Sequence, residues 1–261
     1  MQKVTILIAI MLIVILLLSG CWDRIEIEKN AFILGIGLDK GDDDMLNVTY
    51  QIALPDAMKG GGEGGEGDGG ETSTLNINIY GKTLKETEQI LRANIDRYPN
   101  YEHLKVIVFG EELSREGLAE HIDFLFRNPQ SRRLTKVVVC EGEAKQIFEI
   151  QPKTTKSTAQ YINSLLEDNG RYSIQIASFV DLTTLENKFL QNDDFILAKL
   201  KIKDDNIDAQ GAGIFKSDRL VGWLDSRDVA AVKWLKDEIE QGTLDLSPLD
   251  GHPYITIQII Y

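Results

Sequence analysis

The amino-acid sequence predicts a multi-domain α+β (mixed α/β) protein with mixed, mostly antiparallel sheets and flanking helices. Two observations support this fold class. Segments with the alternation typical of strands recur along the chain, and segments with helical periodicity separate them. The 261 residues are 43% apolar, enough to bury a core in one large domain or two modest ones. Strands that alternate with helices favour a sheet covered by helices.

The individual elements follow from local patterns. Residues 31–38 and 46–54 are expected to pair as an antiparallel hairpin, because the segment DKGDDD between them is typical of a turn. Thr83 and Glu86 have the spacing of a capping box at the start of an amphipathic helix. Further strands are expected over residues 75–80, 104–109, 134–140, 195–202 and 254–261, a hairpin over 211–224, and helices over 114–126, 143–150, 158–167, 179–190 and 226–241.

These elements suggest a division into four parts. We expect a lipoprotein signal peptide over residues 1–20, an N-terminal mixed α/β domain over 21–192, a smaller α/β region with a hairpin and a helix over 193–252, and the first strand of a truncated C-terminal domain over 253–261. Residues 59–71 contain eight glycines, four carboxylates and no apolar side chain. This segment is expected to form a flexible surface loop within the N-terminal domain.

The N-terminus indicates a lipoprotein. Residues 4–18 form an almost uninterrupted apolar run, slightly short for a transmembrane helix, which needs about 20 residues. The run suits a secretory signal. The segment LSGC, residues 18–21, then matches the bacterial lipobox, in which the cysteine thiol is acylated and a peptidase cuts between Gly20 and Cys21. Cys21 is therefore predicted to be the lipid-attachment residue, and two or more acyl chains hold a protein firmly on a bilayer. The alternative is an uncleaved signal anchor.

The charge of the chain limits its partners. Lys and Arg number 28 against 41 Asp and Glu, a net charge of −13. This balance disfavours nucleic acid and an electrostatic hold on anionic lipids. With Cys21 acylated, Cys140 has no intrachain disulfide partner, and its position after three valines predicts a buried, inert thiol.

No catalytic constellation is apparent in the sequence. His103, His121 and His252 lie far apart, without the spacing of a metal site. Neither a nucleophile-elbow motif nor a paired-cysteine motif is present. The sequence thus predicts no catalytic activity, no metal and no cofactor. Trp223 and Trp234 are expected to pack against each other.

Several segments carry a family resemblance. The segment CWDRIEI, residues 21–27, followed by AFILGIGLDK, residues 31–40, resembles the opening of the Ger(x)C spore-germination lipoproteins. In that family a Cys-Trp-Asp-x-x-Glu start leads into a Gly-Ile-Gly-x-Asp strand. Residues 103–111 and 213–224 resemble the family's next marked segments, in the same order.

The resemblance implies a function that does not involve catalysis. It implies the C subunit of a nutrient germinant receptor, anchored by lipid on the outer face of the cytoplasmic membrane that becomes the spore inner membrane. Its partners would be an integral-membrane A subunit and a transporter-like B subunit. Because the family continues past residue 261, the chain would be a fragment, a split gene product or a degenerate copy. The alternatives are a lipid-tethered solute-binding protein of a transporter and, third, an envelope enzyme. No ligand-binding residue can be named from the sequence.

Overall fold

A computed structural model of the protein describes residues 2–8, 11, 29–53, 74–169, 173–239, 241–246 and 255–260, the last two segments by their backbone alone. The predicted site residues Gly20 and Cys21, and the glycine-rich segment 59–71, lie outside the described residues. Across the described part of the chain, every helix is too short or too polar to span a membrane.

The described elements largely follow the sequence pattern. The strands are β1 (Asn30–Lys40), β2 (Leu46–Ala53), β3 (Thr74–Gly81), β4 (Tyr98–Asn100), β5 (Val106–Phe109), β6 (Lys136–Cys140), β7 (Val180–Asp181), β8 (Phe195–Lys203), β9 (Asn206–Asp208), β10 (Ala212–Lys216), β11 (Arg219–Leu224), β12 (Gln241–Leu246) and β13 (Ile255–Ile260). The α-helices are α1 (Leu84–Asn94), α2 (Glu111–Glu116), α3 (Ala119–Arg127), α4 (Ala144–Glu149), α5 (Thr158–Ser164), α6 (Leu182–Gln191) and α7 (Ser226–Leu235). A π-helical turn, Leu165–Asn169, follows α5 directly.

Eleven of these strands form one mixed sheet with the order β11-β10-β8-β6-β5-β1-β2-β3, to which β4, β7 and β9 add short pairings. The four central strands β1, β5, β6 and β8 are parallel to one another. The flanking strands are antiparallel, and the predicted hairpin of β1 and β2 is confirmed. Strands β12 and β13 pair with each other as a separate hairpin. The predicted fold class, with mixed sheets and flanking helices, is confirmed.

Helices cover both faces of the sheet. The first core lies between the sheet and α1, α2, α3 and α6, and the second core lies between the sheet and α4, α5 and α7. Strand β5 contributes to both, because Ile107 and Phe109 face the first core while Val106 and Val108 face the second. Central parallel strands that are buried on both faces read as continuous apolar runs, as β5 does.

A bulge in β1 changes which residues face each core. The register of pairing with β2 shifts between Ile33 and Gly35. Ile33 and Ile36 consequently both face the first core, although they are three residues apart. Gly35, on the other side of the strand, faces α4 and α5 in the second core. An extra residue on one strand of an antiparallel pair has this effect because side chains otherwise alternate with a period of two.

Two predicted helices are shorter than expected. The helix predicted over residues 114–126 is interrupted at Gly117, whose φ of 130° ends α2 before α3 begins. The helix predicted over residues 226–241 ends at Leu235, because the backbone reaches a left-handed conformation at Asp237, with a φ of 56°. Gly242, expected to stop this helix, lies within β12.

The sheet runs across the domain boundary predicted at residue 193. Strand β8 follows this boundary directly and pairs with β6, through Val139 with Lys199 and Cys140 with Leu200. Strands β10 and β11 then extend the same sheet. The division of the chain into separate domains stays a prediction.

The substitution Gly117→Ala is expected to lower the free energy of unfolding by roughly 1–3 kcal/mol. Alanine at this position would have to adopt an unfavourable positive φ, and its Cβ atom would lie 2.8 Å from Oδ2 of Asp218. Chemical denaturation measures the loss. The matched control is Gly222→Ala, whose Cβ would meet Ile214 at an ordinary 3.7 Å. Equal losses in the two variants would contradict the strain at Gly117.

Candidate functional site

The glycines of the Gly-Ile-Gly segment allow α4 to approach the sheet. A Cβ on Gly35 would lie 2.6 Å from Cε1 of Phe148 and 2.8 Å from Cβ of Ala159. A Cβ on Gly37 would lie 3.1 Å from the same phenyl ring and 3.2 Å from Cβ of Ala144. The buried ring of Phe148 therefore packs directly against the backbone of β1. The spacing of the two glycines matches one face of a strand.

Asp39 continues this face of β1 and receives the start of α4. Its Oδ1 atom accepts a hydrogen bond of 2.6 Å from the N–H of Ala144, and its Oδ2 atom accepts one of 2.9 Å from the N–H of Lys145. The side chain is buried, and Gly110 at the end of β5 contacts Oδ1 closely enough to exclude any Cβ. Asp39 thus satisfies two N–H groups that a helix leaves without an intrahelical partner.

Burial raises the pKa of the Asp39 carboxyl from its ordinary value of 3.8 to about 6. The hydrogen bonds from Ala144 and Lys145 oppose this effect, and the nearby Glu143 carboxylate adds to it. Desolvation is therefore the larger influence on this group.

Glu111 links β5 to the loop after β6. Its backbone N–H donates to the carbonyl oxygen of Gly142 at 2.8 Å, and its carboxylate accepts a 2.7 Å hydrogen bond from Arg115. Burial would raise the pKa of Glu111, but hydrogen bonds from Arg115, the Gly142 N–H and the Trp223 side chain outweigh it and lower the pKa. Trp223 thereby joins residues 103–111 to residues 213–224, two of the segments that carry the family resemblance.

Lys199 connects Trp223 to the end of β6. The Lys199 side chain is 8% exposed, and its Nζ atom lies 2.8 Å from Oε1 of Glu141. The same ammonium lies 5.5 Å from the centre of the Trp223 ring. A nearly buried cation is stabilised here by a carboxylate and by an aromatic face. We name Asp39, Glu111, Glu141, Lys199 and Trp223 the carboxyl-end cluster. Four of them lie near the carboxyl ends of β1, β5, β6 and β11 or shortly after them, and Lys199 of β8 pairs with Val139 near the end of β6.

The carboxyl-end cluster has the chemistry of a structural junction. Its charged groups have partners within the protein, as the hydrogen bonds and ion pairs above show. Cys140 lies next to it, but burial raises the pKa of this thiol well above its ordinary value, which makes it a poor nucleophile. Among the described residues, His, Cys, Asp and Glu form no group of three that could hold a metal ion.

An open groove of about 550 Å³ lies beside β3 and the segment after α4. Gln51 lines it, and its amide donates to Asn76 at 3.1 Å and accepts from the Ser157 hydroxyl and the Ala159 N–H at 2.8 Å each. The side-chain amide of Gln51 is therefore occupied by partners within the chain.

The residues singled out in the sequence have different outcomes. Cys140 is buried, as predicted. His103 is exposed and stacks edge-on against Phe32, with ring centres 4.9 Å apart. His121 is half-buried, and burial lowers its pKa. The sequence missed the roles of Asp39 and Glu111, although the adjacent Gly-Ile-Gly segment signals a close approach of backbone.

The predicted packing of Trp223 against Trp234 is wrong. Trp223 precedes α7 and contacts Lys199, whereas Trp234 lies at the end of α7 and is 52% exposed. The face of α7 that packs on the sheet instead includes Val229 and Lys233. The Lys233 ammonium donates to the carbonyl oxygens of Ser173 and Ile176, so its aliphatic stem occupies the place expected for an apolar residue.

The sequence of the chain matches a known class of proteins. The family model described as "Spore germination protein N-terminal domain" matches residues 23–202, and the model described as "Spore germination B3/GerAC like, C-terminal" matches residues 210–260. The chain therefore belongs to the GerAC family of spore germination proteins. The family resemblance in the sequence is confirmed.

Individual relatives share modest identity over most of the chain. From Bacillus subtilis (strain 168), YfkR is 28% identical over 99% of this chain and 68% of its own length, spore germination protein A3 is 29% identical over 93% and 63%, and spore germination protein B3 is 26% identical over 96% and 66%. The chain thus spans about two thirds of these relatives. The crystal structure of the GerBC protein aligns with a TM-score of 0.47 at 21% identity, covering 90% of this chain and 65% of that one.

Proposed function

We propose that the protein is the lipid-anchored, non-enzymatic C subunit of a nutrient germinant receptor and acts in spore germination. Cys21 tethers it to the outer face of the cytoplasmic membrane, which is the spore inner membrane after sporulation. The folded part docks on the membrane subunits A and B of the receptor. This function requires no cofactor.

One observation carries the proposal: the germination family models together match residues 23–202 and 210–260, directly after the lipobox. The geometry supports a role that depends on surfaces rather than on catalysis. The family-marked Gly35, Asp39, Glu111 and Trp223 hold α4, β5 and β11 together.

The alternative of a solute-binding protein has less support. Such proteins enclose their ligand between two lobes, whereas the described strands from β1 to β11 form one sheet. Calorimetry of the chain with amino acids and sugars distinguishes the two functions. Heat of binding to a single solute, without any effect of the gene on germination, would favour the solute-binding protein.

Deletion of the gene is expected to slow the germinant-triggered loss of spore refractility. The strain should lack redundant germinant receptors, so that the loss is not masked by other copies. Unchanged germination with every nutrient tested would argue strongly against the proposal.

Cys21→Ala is expected to leave the precursor uncleaved and without acyl chains, since the thiol is the acceptor of the lipid. Metabolic labelling with a fatty acid and the electrophoretic mobility of the chain measure both effects. The matched control is Cys140→Ala, which removes the buried cysteine and should leave acylation intact. Normal labelling and cleavage of the Cys21→Ala chain would refute the lipoprotein assignment.

A further inference from the structure

Large apolar side chains are exposed at one end of the sheet, where the parallel strands begin. We name this end the amino edge. Tyr98 pairs with Asn30 at the start of β1 and is 43% exposed. Leu134, two residues before β6, is 69% exposed. Phe179 is 47% exposed, and its ring lies 4.9 Å from Nζ of Lys136, the first residue of β6.

The end of α7 adds to this apolar surface. The hydroxyl of Ser178, next to Phe179, donates a 2.7 Å hydrogen bond to Glu238, shortly after α7. This bond ties the end of α7 to the segment that carries Phe179. Trp234 and Leu235 there are 52% and 88% exposed. Other large apolar side chains are exposed on β3, α6 and β11, so the amino edge is one of several such surfaces. A contiguous exposed apolar patch usually marks an interaction site.

The opposite end of the sheet carries acidic groups. The turn after β1 contains Asp42, Asp43 and Asp44, and the turn after β8 contains Asp204 and Asp205. Glu111 and Glu112 follow β5, and Glu141 and Glu143 follow β6. Arginines instead accompany the apolar groups of the amino edge, with Arg97 beside Tyr98 and Arg132 and Arg133 beside Leu134. These arginines also have acidic neighbours, since Arg133 pairs with Glu186 at 2.6 Å and Arg97 lies beside Asp96.

We propose that the amino edge lies on the phospholipid bilayer, with Leu134, Trp234 and Leu235 in the interfacial layer and the acidic end directed away from it. Trp and Tyr favour this layer. The inference rests on the proposed function for its tether. Eight residues lie between Cys21 and Asn30 at this edge, and the nine residue-to-residue steps that join them reach at most about 30 Å when extended.

The test uses single cysteines introduced at exposed positions of the full chain. Leu134→Cys and Leu235→Cys report on the amino edge, and Ile202→Cys, at a residue 40% exposed near the end of β8, is the matched control. Each variant is labelled with a polarity-sensitive fluorophore and reconstituted into vesicles of phosphatidylglycerol and phosphatidylcholine. The chain without an added cysteine measures background labelling from Cys21 and Cys140, which acylation of the first thiol and burial of the second should keep low.

We expect a severalfold rise in emission, and quenching by nitroxide-labelled lipid, at positions 134 and 235 but not at 202. Equal emission at all three positions would overturn the proposal. A rise that occurs only after the receptor's membrane subunits are added would also overturn it, in favour of a protein contact. Co-sedimentation of the wild-type and Cys21→Ala chains with the vesicles tests the tether separately, so the two failures are distinguishable.

Discussion

Gly35→Ala is expected to lower the free energy of unfolding by about 1–3 kcal/mol, as overpacking of a well-filled core does. The new methyl group would lie 2.6 Å from the Phe148 ring and 2.8 Å from Ala159. Neither neighbour can move easily, because both are buried between the sheet and the helices α4 and α5. Urea denaturation of the variant and the wild type measures the loss.

Phe148→Ala is expected to cost more, about 3–5 kcal/mol, because it removes a fully buried ring. The double variant Gly35→Ala, Phe148→Ala provides the sharper test. Without the ring the alanine at position 35 has room, so the combined loss should fall short of the sum by on the order of 1 kcal/mol. Losses that simply add would contradict the proposed contact between Gly35 and Phe148.

Asp39 is expected to make stability depend on pH in an unusual direction. Burial raises the pKa of its carboxyl from 3.8 to about 6, so the folded chain holds this proton more tightly than the unfolded chain does. The stability from this group is fully present below pH 3.8 and is lost as the pH rises through about 6. The difference corresponds to roughly 3 kcal/mol.

Comparison with Asp39→Asn isolates this effect from other titrations. The free energies of unfolding of the two chains are measured between pH 4 and pH 7. As the pH rises, the wild type should lose stability relative to the Asp39→Asn chain. Glu143 and Lys145 also face the carboxyl, and both remain in each chain. Parallel pH profiles for the two chains would show that Asp39 does not titrate in this range.

Local patterns predicted the local elements well. The run of aspartates between β1 and β2 forms the expected turn, with a positive φ at Asp43 and Asp44. The Thr83 hydroxyl accepts from the N–H of Glu86 at 3.1 Å, as the capping pattern predicts. The Glu86 carboxylate, however, accepts from the N–H of Lys82 rather than from that of Thr83.

The arrangement of the strands could not be predicted from these patterns. Strands β6 and β8 are neighbours in the sheet, although 54 residues of sequence lie between the end of β6 at Cys140 and the start of β8 at Phe195. Such a pairing depends on how helices pack on the two faces, which periodicity within one segment does not encode. The parallel centre of the sheet was consequently missed, although the fold class was predicted.

The orientation of α7 was also beyond the sequence pattern. Periodicity assigns Trp234 to the buried face and Lys233 to solvent, whereas the structure has the reverse. The long stem of a lysine can fill apolar space if carbonyl groups receive its ammonium, as those of Ser173 and Ile176 do. These two carbonyl groups belong to a segment distant in sequence, so the pattern of residues within α7 does not predict the contact.

The bulge after Ile33 has a consequence for the whole family motif. The extra residue moves every later side chain of β1 to the opposite face of the sheet. Deleting one residue there would turn Ile36 towards the Phe148 ring and Asp39 away from the N–H groups of α4. One extra residue in the first half of β1 therefore determines which side chains of its second half face α4.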